Sequence, residues 1–397
     1  MVKKDRAVIV NKLYLLKMLP LLYQTHLENQ LKSSELLFLT LVINILQDIK
    51  NVSLEKIATA LPIPIVFESR RKKIQRFLSL PIFNIEGLWF PIIKNWRAQN
   101  FSINQTIYLV IDRTIWERKN LIMISIIYEQ RAIPVYFEFL SKLGSSNFTE
   151  QVSLISKVLP LFKDYQILIL GDREFCSVKL AAWLTEQEVQ FCLRLKKNEF
   201  IAKENEDWKE LNALGLKPGI SLFIQNIKVT KTQKIGGFNI AGKWQRKISG
   251  VARKEGWFIL TNLTSLKLAI ASYRKRFDIE EMFRDFKSGG YNLEDTNVSG
   301  HRLISLILLI ALAYSSATFK GQSIKRKGVQ KYVGRVKESR RVQKRHSSFY
   351  IGLYGQSWVN FLESCWGLVT ELMILNRNKI EYYLRGQRAM EHILSAF

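Results

Sequence analysis

Two apolar segments that each end in an aspartate constrain the fold of this chain more than any other feature. Residues 106–112 end in Asp112, and residues 166–172 end in Asp172. Short, nearly continuous apolar runs are typical of strands that are buried on both faces of a sheet. If the two strands are neighbours, their carboxylates converge at one edge of that sheet. The alternative is structural, because an aspartate at a strand end is also a common turn former or helix cap.

The pattern around these segments predicts a mixed α/β domain. Two further strands are expected at residues 121–128 and 133–140, joined as an antiparallel hairpin. Helices are expected at about 148–159 and 177–187, and a strand at 189–195. The order β-β-β-α-β-α-β favours a ribonuclease-H-like sheet over a doubly wound dinucleotide-binding sheet. No G-x-G-x-x-G motif follows the first strand.

The remaining segments are predicted to form further regions. Residues 1–100 are expected to form a helical DNA-binding domain. Helical periodicity is visible at 12–24, with a break or kink at Pro20, and at 34–49. Residues 79–102 are interpreted as a connection to the next domain. Residues 101–196 are the first part of the catalytic domain. Residues 197–256, with strands at 220–229 and 243–251, are interpreted as a β-rich insertion. Residues 257–318 return to the catalytic domain, and residues 319–397 contain a basic segment and C-terminal helices.

The charge of the chain indicates a polyanionic partner. Its formal net charge is +26 and its pI is about 9.9, which makes nucleic acid the first candidate and an anionic membrane surface the second. The most apolar run, residues 303–314, is shorter than the roughly 20 residues of a spanning helix. The basic N-terminus lacks a signal-peptide cleavage pattern. We therefore expect a cytoplasmic protein that does not bind a membrane. Three scattered cysteines support neither a disulfide framework nor a zinc site.

A helix-turn-helix-like unit is predicted near residue 60. Ser53 is a candidate N-cap for a helix that ends before Pro62 and Pro64. A second helix follows at 67–78, and it could enter a major groove. The alternative is a solvated charged face on an ordinary helical pair. The basic residues of this second helix are Arg70, Arg71, Lys72, Lys73 and Arg76.

A second basic segment lies at residues 320–346. It contains eleven Lys or Arg residues and a single acid, Glu338. No apolar periodicity is visible, so we expect an exposed loop or tail that binds phosphate backbone. The alternative is a solvated linker.

Residues 273–287 are predicted to form one uninterrupted helix, because they contain no Pro or Gly and precede the Gly289-Gly290 pair. At about 100° per residue, four polar side chains fall within roughly 60° of one another: Tyr273, Arg276, Glu280 and Lys287. An apolar stripe lies beside them, made of Ile279, Met282, Phe283 and Phe286. One carboxylate beside two cations and a phenol suits a metal ligand that works against a phosphate backbone. The alternative is an amphipathic surface helix with i,i+4 ion pairs.

Three carboxylates without Cys or His ligands form the hard-oxygen environment that Mg²⁺ prefers. Two such ions held roughly 4 Å apart stabilise both the attacking and the leaving oxygen of an in-line phosphoryl displacement. If Glu280 packs beside Asp112 and Asp172, we expect a site for two Mg²⁺ ions, with Mn²⁺ able to substitute. The predicted reaction is phosphodiester cleavage or transfer.

Three motifs in the right order resemble a known family. Val110-Ile111-Asp112-Arg113-Thr114, Gly171-Asp172-Arg173-Glu174-Phe175 and the Y-x2-R-x3-E-x6-K pattern that begins at Tyr273 are similar to the DDE transposases of bacterial insertion sequences of the IS-four type. The resemblance implies a ribonuclease-H-like fold with a β-rich insertion between the second Asp and the Glu.

The resemblance also implies roles for individual residues. Asp112, Asp172 and Glu280 would be the catalytic ligands of two metal ions. Tyr273, Arg276 and Lys287 would contact phosphates of the transposon end. Further backbone contacts are expected from Arg173, Arg194 and Lys196. Trp257 lies in a W-x3-T pattern where similar hairpin-forming enzymes stack a Trp on a flipped base; the alternative for Trp257 is core packing.

The function implied is cut-and-paste DNA transposition by a homodimer on double-stranded DNA, acting on element ends and on target DNA. Two alternatives stay open: a catalytically silent DNA-binding protein derived from a transposase, and a ribonuclease-H-like nuclease such as a junction resolvase. The intact acidic triad argues against the first alternative. The helix-turn-helix-like unit and the basic segment favour binding to specific ends over binding to a junction.

Overall fold

A computed structural model describes residues 19–203, 207–246, 255–339 and 345–395 of the 397-residue chain. The described residues fall into two compact units. Unit 1 comprises those up to Trp96 and from Asp285 onward, and unit 2 comprises Arg97–Arg284. The boundary at Asp285 lies inside the segment 257–318 that we assigned to one domain. The five predicted domains themselves stay a prediction.

Helices dominate the N-terminal part of the chain. Its α-helices among the described residues are α1 (Leu21–Gln30), α2 (Ser33–Ile49), α3 (Leu54–Ala60), α4 (Phe67–Leu78) and α5 (Phe90–Asn100), with a π-helical turn at Ile85–Trp89 before α5. α1 begins directly after Pro20, while residues 12–18 of the first predicted helix lie outside the described residues. α4 has the bounds that its sequence pattern predicted.

The interpretation of residues 79–102 as a connection is wrong. This stretch forms the π-helical turn and α5, and it buries Trp89, Ile92, Ile93 and Trp96. Burial of these large apolar side chains stabilises a helix whose sequence has only a weak amphipathic pattern.

Unit 2 is built on one mixed sheet. Its strands are β1 (Thr106–Trp116), β2 (Lys119–Tyr128), β3 (Arg131–Phe139), β4 (Gln166–Gly171), β5 (Gln190–Arg194), β6 (Phe200–Lys203), β7 (Lys209–Glu210), β8 (Ser221–Val229), β9 (Ile235–Lys243) and β10 (Trp257–Thr261). They lie in the order β3-β2-β1-β4-β5-β10-β9-β8-β6-β7. Helices α6 (Phe148–Val158) and α7 (Val178–Glu186) precede β4 and β5 in the chain. The predicted mixed α/β class is confirmed at this level.

The two strands that carry the aspartates are parallel neighbours. β1 pairs with β4 with Ile111 opposite Gly171, and β4 pairs in parallel with β5. The predicted hairpin of β2 and β3 is antiparallel, as is the pair of β1 and β2. β1 runs four residues beyond the predicted strand end, so Asp112 lies within β1, just past its last parallel pair with β4.

The strands of the predicted insertion extend this same sheet. β9 pairs antiparallel with β10, and β8 and β6 continue the sheet outward from β9. Of the predicted strand at 243–251, Lys243 is the last residue of β9 and residues 244–246 do not continue it, so the predicted start is wrong. Residues 247–254 lie outside the described residues.

The prediction of one uninterrupted helix over residues 273–287 is also wrong. The chain forms α8 (Leu266–Arg274) and α9 (Phe277–Phe286), separated at Lys275 and Arg276. The amides of Lys275 and Arg276 bond to carbonyls three residues back, which tightens the chain at the break. The predicted apolar stripe is correct: its four members in α9 are at most 7% exposed.

The C-terminal part of unit 1 contains α10 (Gly300–Arg326), α11 (Ser348–Ser364), α12 (Trp366–Leu375) and α13 (Ile380–Leu394). α10 is longer than expected, and among the described residues it is long and apolar enough to cross a membrane. However, 89% of its most apolar stretch is buried inside the protein, so we interpret α10 as the central helix of unit 1. Lys320 lies in this helix and is 4% exposed, which contradicts an exposed loop beginning at residue 320.

Candidate functional site

Asp112 and Asp172 lie side by side because β1 and β4 are parallel neighbours. The Oδ1 atom of Asp112 accepts a hydrogen bond of 2.8 Å from the backbone amide of Arg113. Asp172 follows β4 directly, and its Oδ1 atom accepts a hydrogen bond of 2.8 Å from the amide of Glu174. Each carboxylate is therefore oriented by the backbone just after it, and the sheet brings the two together as predicted.

Arg276 connects Asp112 with Glu280. Its Nη1 atom donates to Oδ2 of Asp112 over 3.3 Å, and its Nη2 atom donates to Oε1 of Glu280. The Arg276 side chain is only 5% exposed, whereas that of Glu280 is 52% exposed. A buried guanidinium therefore lies between the first and third predicted metal ligands.

The ionised form of Asp112 is disfavoured by burial and by the negative charges near it. The pKa of Asp112 is raised to about 7, mainly by burial; the charges of Asp172 and Glu280 also raise it, while the Arg113 amide and Arg276 lower it. Within the described residues, no three His, Cys, Asp or Glu side chains lie close enough together to hold one metal ion. The donor chemistry nevertheless fits a divalent cation, because the carboxylate oxygens of Asp112, Asp172 and Glu280 are hard ligands and the ionised form of Asp112 is disfavoured without a nearby cation.

A buried ion pair joins the two segments that carry the aspartates. Arg113 and Glu174 form three hydrogen bonds of 2.7–3.0 Å, and both side chains are 14% exposed. Glu174 also accepts from the amide and hydroxyl of Ser146, and Arg113 donates to Asn120. Because Arg113 follows Asp112 and Glu174 lies two residues after Asp172, this pair fixes the relative position of the two aspartates.

Aromatic rings form one wall of the site. Trp257 is half-buried and contacts Tyr273 at 5.3 Å and Phe277 at 5.7 Å between ring centroids. The Arg276 guanidinium lies 4.6 Å from the Phe277 ring centroid. Tyr273 is fully buried, and burial raises its pKa to about 12. The predicted roles of Trp257 on a base and of Tyr273 on a phosphate stay predictions, and both residues pack in the free protein.

Two of the predicted backbone-contacting cations lie near these carboxylates. Arg173 directly follows Asp172, and Arg194 ends β5. Both donate to the carboxylate of Glu255; the contact from Arg194 is 2.7 Å long. Lys196 is exposed.

The acids beside Glu280 have other partners. Glu281 pairs with Arg284 and, at 4.0 Å, with Arg131. Burial raises the pKa of Asp278 to about 6, against the lowering effect of Arg131 and Lys275. Neither is paired with the Arg276 that contacts Asp112, so the geometry favours Glu280 as the third ligand. In unit 1, Lys287 pairs with Glu294 at 2.7 Å.

The basic face of α4 is only partly free. Arg70 bonds to the backbone carbonyl of Leu61, and Arg71 pairs with Glu68 and Glu55. The exposed cations of this helix are Lys72, Lys73 and Arg76.

The basic segment at 320–346 is not a continuous exposed loop. Its first seven residues belong to α10, and Lys325 donates to the carbonyl of His346. A short 3₁₀ turn follows at Val329–Tyr332. Residues 340–344 lie outside the described residues.

Sequence reasoning missed Arg113, Glu174 and Glu255 as parts of the site. Arg113 and Glu174 lie inside the two aspartate motifs. Because the two strands were expected to be neighbours, an ion pair between these motifs could have been predicted from the sequence. Glu255 belongs to no motif, and only the pairing of β10 with β5 brings it to Arg194.

Comparisons with known proteins bear on residues 109–315. These residues match the family model described as "Transposase DDE domain". No curated protein gives a significant match to the chain. Among solved structures, the chain is similar to one described as a cryo-EM structure of piggyBac transposase synaptic complex with hairpin DNA, with 12% identity, a TM-score of 0.46, and coverage of 91% of this chain and 76% of that chain.

Proposed function

This chain belongs to the DDE transposases, metal-dependent enzymes that cleave DNA, and from that premise we propose that it performs cut-and-paste transposition. In this reaction, water nicks the element end, and the freed 3′-OH then attacks either the opposite strand or target DNA. The observation that carries the proposal is that one buried guanidinium, that of Arg276, contacts both Asp112 and Glu280, while the charges of Asp172 and Glu280 both act on Asp112.

The catalytic core is proposed to be ribonuclease-H-like. The strand order β3-β2-β1-β4-β5, with β1, β4 and β5 parallel and β2 antiparallel to both of its neighbours, supports this assignment. β6 to β9 would be the insertion between the second aspartate and the glutamate. It lengthens the sheet beyond β10.

Asp112, Asp172 and Glu280 are proposed to hold two Mg²⁺ ions, which Mn²⁺ can replace. The bound cations would supply Lewis-acid stabilisation of the attacking and leaving oxygens. The raised pKa of Asp112 supports this assignment, because a bound divalent cation would stabilise the ionised form that burial and, to a smaller extent, the charges of Asp172 and Glu280 disfavour.

Arg276 has a different role in the free and the DNA-bound protein under this proposal. In the free protein it neutralises Asp112 and Glu280. Once cations neutralise those carboxylates, the guanidinium can turn to a phosphate of the element end. Arginine is suited to this exchange because its planar donors match carboxylate and phosphate oxygens equally well.

The exposed cations Lys72, Lys73 and Arg76 of α4 are proposed to bind the DNA backbone or the major groove at the element end. The +26 charge of the chain supports a polyanionic partner. We propose that the protein acts in the bacterial cytoplasm, at the nucleoid, where its DNA substrates would lie.

A homodimer on DNA is proposed because two ends have to be held together. Two copies that each carry a charge of +26 repel one another, so a surface with few cations is the one best suited to association. α12 has no Lys or Arg, and none of its residues, all of which the structure describes, is buried. Its exposed apolar side chains are Trp366, Leu368, Leu372, Ile374 and Leu375. Burying them in a second copy would stabilise the dimer.

The test is Mg²⁺-dependent nicking and joining on a duplex that carries the DNA flanking the open reading frame, with Asp112→Asn as the matched variant. Cleavage followed by joining, lost in the variant, would establish the proposed reaction. Salt-sensitive binding without cleavage in either protein would instead identify a silent DNA-binding protein. Cleavage without joining would identify a nuclease.

A further inference from the structure

Three guanidinium groups cluster beside the carboxylates of unit 2. Burial lowers the pKa of Arg194, and the positive charges of Arg173 and Arg276 lower it further, while Tyr273 raises it. Arg276 forms ion pairs with Asp112 and Glu280. Arg173 and Arg194 therefore form a separate pair of like charges, which is unfavourable unless an anion lies between them.

Glu255 is the anion that lies between them. A single oxygen of its carboxylate, Oε1, accepts hydrogen bonds from Nη2 of Arg173 and from Nη2 of Arg194, the latter at 2.7 Å. The side chain of Arg194 is 16% exposed, whereas that of Glu255 is 41% exposed. Arg194 is therefore held within the fold, whereas Arg173, at 39%, is about as exposed as Glu255.

The site has unused donor capacity. The buried Nε atom of Arg173 makes no hydrogen bond with any residue that the structure describes. One carboxylate oxygen shared by two guanidinium groups leaves such donors unsatisfied, which is costly for buried groups. A phosphodiester has two non-bridging oxygens, each with several lone pairs, and satisfies more of them.

We propose that Arg173 and Arg194 form a phosphodiester subsite, and that Glu255 occupies this subsite in the free protein as an internal competitor that DNA displaces. The proposal deepens the proposed function and rests on it. Its consequence is weaker binding to every DNA molecule. A phosphate can bind only in the fraction of molecules in which Glu255 has moved away, so the apparent affinity for all DNA falls. Only an end that makes additional specific contacts overcomes this loss.

Glu255→Gln tests the competitor directly, because glutamine keeps the size of the side chain and removes its charge. We expect the affinity for a duplex of random sequence to rise about tenfold at fixed salt. We also expect the slope of log K against log salt to steepen by about one, because one more phosphate contact releases counterions without an internal carboxylate to replace it.

Glu117→Gln is the matched control. Glu117 also lies in unit 2 and pairs with a cation, Lys119, at 2.6 Å, so its replacement changes the net charge of the protein by the same amount. An equal rise in affinity for both variants would overturn the proposal, because the gain would then reflect net charge alone. The Arg194→Gln background gives a second check. In that background, Glu255→Gln should raise the affinity for duplex DNA no more than Glu117→Gln does. A tenfold rise in affinity would contradict the proposed subsite.

Inorganic phosphate separates this proposal from the proposed function. We expect phosphate to raise the melting temperature of Glu255→Gln more than that of the wild type or of Glu117→Gln. If the wild type binds and cleaves duplex DNA but Glu255→Gln behaves like the control with both probes, the competitor is refuted and the function stands. If no variant binds duplex DNA, the proposed function fails and the assignment of a DNA phosphate fails with it.

Discussion

Arg276 donates a hydrogen bond from Nη1 to Oδ2 of Asp112 across 3.3 Å, although the two residues are 164 positions apart in the chain. The same guanidinium contacts Glu280, four residues later. Its positive charge compensates both carboxylates in the free protein. Under the proposed function, divalent cations would take over this role, and Arg276 would give up its contacts with Asp112 and Glu280.

Arg276→Gln should increase the affinity of the protein for divalent cations. Removing the guanidinium leaves Asp112 and Glu280 without their internal counter-charge, so we expect Mn²⁺ to bind about tenfold more tightly in a calorimetric titration without DNA. Arg284→Gln is the control, since Arg284 pairs with the neighbouring Glu281 on the exposed side of α9. Unchanged Mn²⁺ affinity in Arg276→Gln would contradict the competition.

Asp112→Asn should stabilise the protein at pH 8 and lose this advantage as the pH falls. The pKa of Asp112 is raised from 3.8 to about 7 in the folded protein, so the folded state favours the protonated form. The wild type is therefore penalised progressively as the pH rises from about 4 to 7, whereas asparagine carries no such penalty. We expect a gain of about 1–4 kcal/mol in the free energy of unfolding at pH 8, and none near pH 4, in urea titrations without metal.

Asp295→Asn is the control of opposite sign for this experiment. Its carboxylate bonds to Lys56 and Asn51, which lower its pKa. The ionised carboxylate of Asp295 stabilises the folded protein at pH values above the pKa of Asp295 in the unfolded chain. This stabilisation is lost as the pH falls through the lower pKa of Asp295 in the folded protein, so Asp295→Asn should not stabilise the protein at pH 8. A gain from both substitutions would mean that general charge repulsion, and not the site, is responsible.

Gly171→Ala should destabilise the protein and disturb Asp172. A Cβ atom at Gly171 would lie 2.8 Å from Cβ of Phe175 and 3.0 Å from Cδ2 of Leu193, and these buried neighbours belong to the segment after β4 and to β5. We expect a loss of about 1–3 kcal/mol in chemical unfolding, typical of overpacking. Gly367→Ala in α12 meets no atom within 4 Å and should be neutral or slightly stabilising. Equal behaviour of the two alanine variants would refute the packing argument.

Trp257→Ala should slow the step after the first nick more than the nick itself, if its ring stacks on a flipped base. The ring also packs on Tyr273 and Phe277, so a purely structural role predicts equal slowing of both steps. Trp257→Phe keeps an aromatic ring and should recover most of the lost rate. Single-turnover kinetics that resolve nicking from second-strand attack distinguish these outcomes.

Much of the fold was predictable from local patterns. The apolar runs before Asp112 and Asp172 indicated buried strands, and their parallel pairing follows from the α/β connection between them. The periodic, basic sequence of α4 gave its exact bounds. The motif order indicated a DDE transposase, and the family match confirms that prediction.

The features that sequence reasoning did not give depend on tertiary packing. Nothing in residues 273–287 encodes a helix break, since the stretch lacks Pro and Gly; the break accompanies the packing of Tyr273 and Phe277 on Trp257. Lys320 looks like part of a charged linker, yet it continues a buried helix and bonds to Gln356. The pairing of Arg113 with Glu174 needs two strands that meet only in the folded sheet.

The central claim is that Asp112, Asp172 and Glu280 bind catalytic divalent cations, and replacing Asp172 by cysteine tests it most directly. A thiolate is a poor ligand for Mg²⁺ but an acceptable one for Mn²⁺. Asp172→Cys should therefore lose DNA cleavage with Mg²⁺ and regain a substantial part of it with Mn²⁺, while the wild type cleaves with both. Full cleavage by Asp172→Cys in Mg²⁺, or the same loss in Mg²⁺ and Mn²⁺, would contradict the assignment.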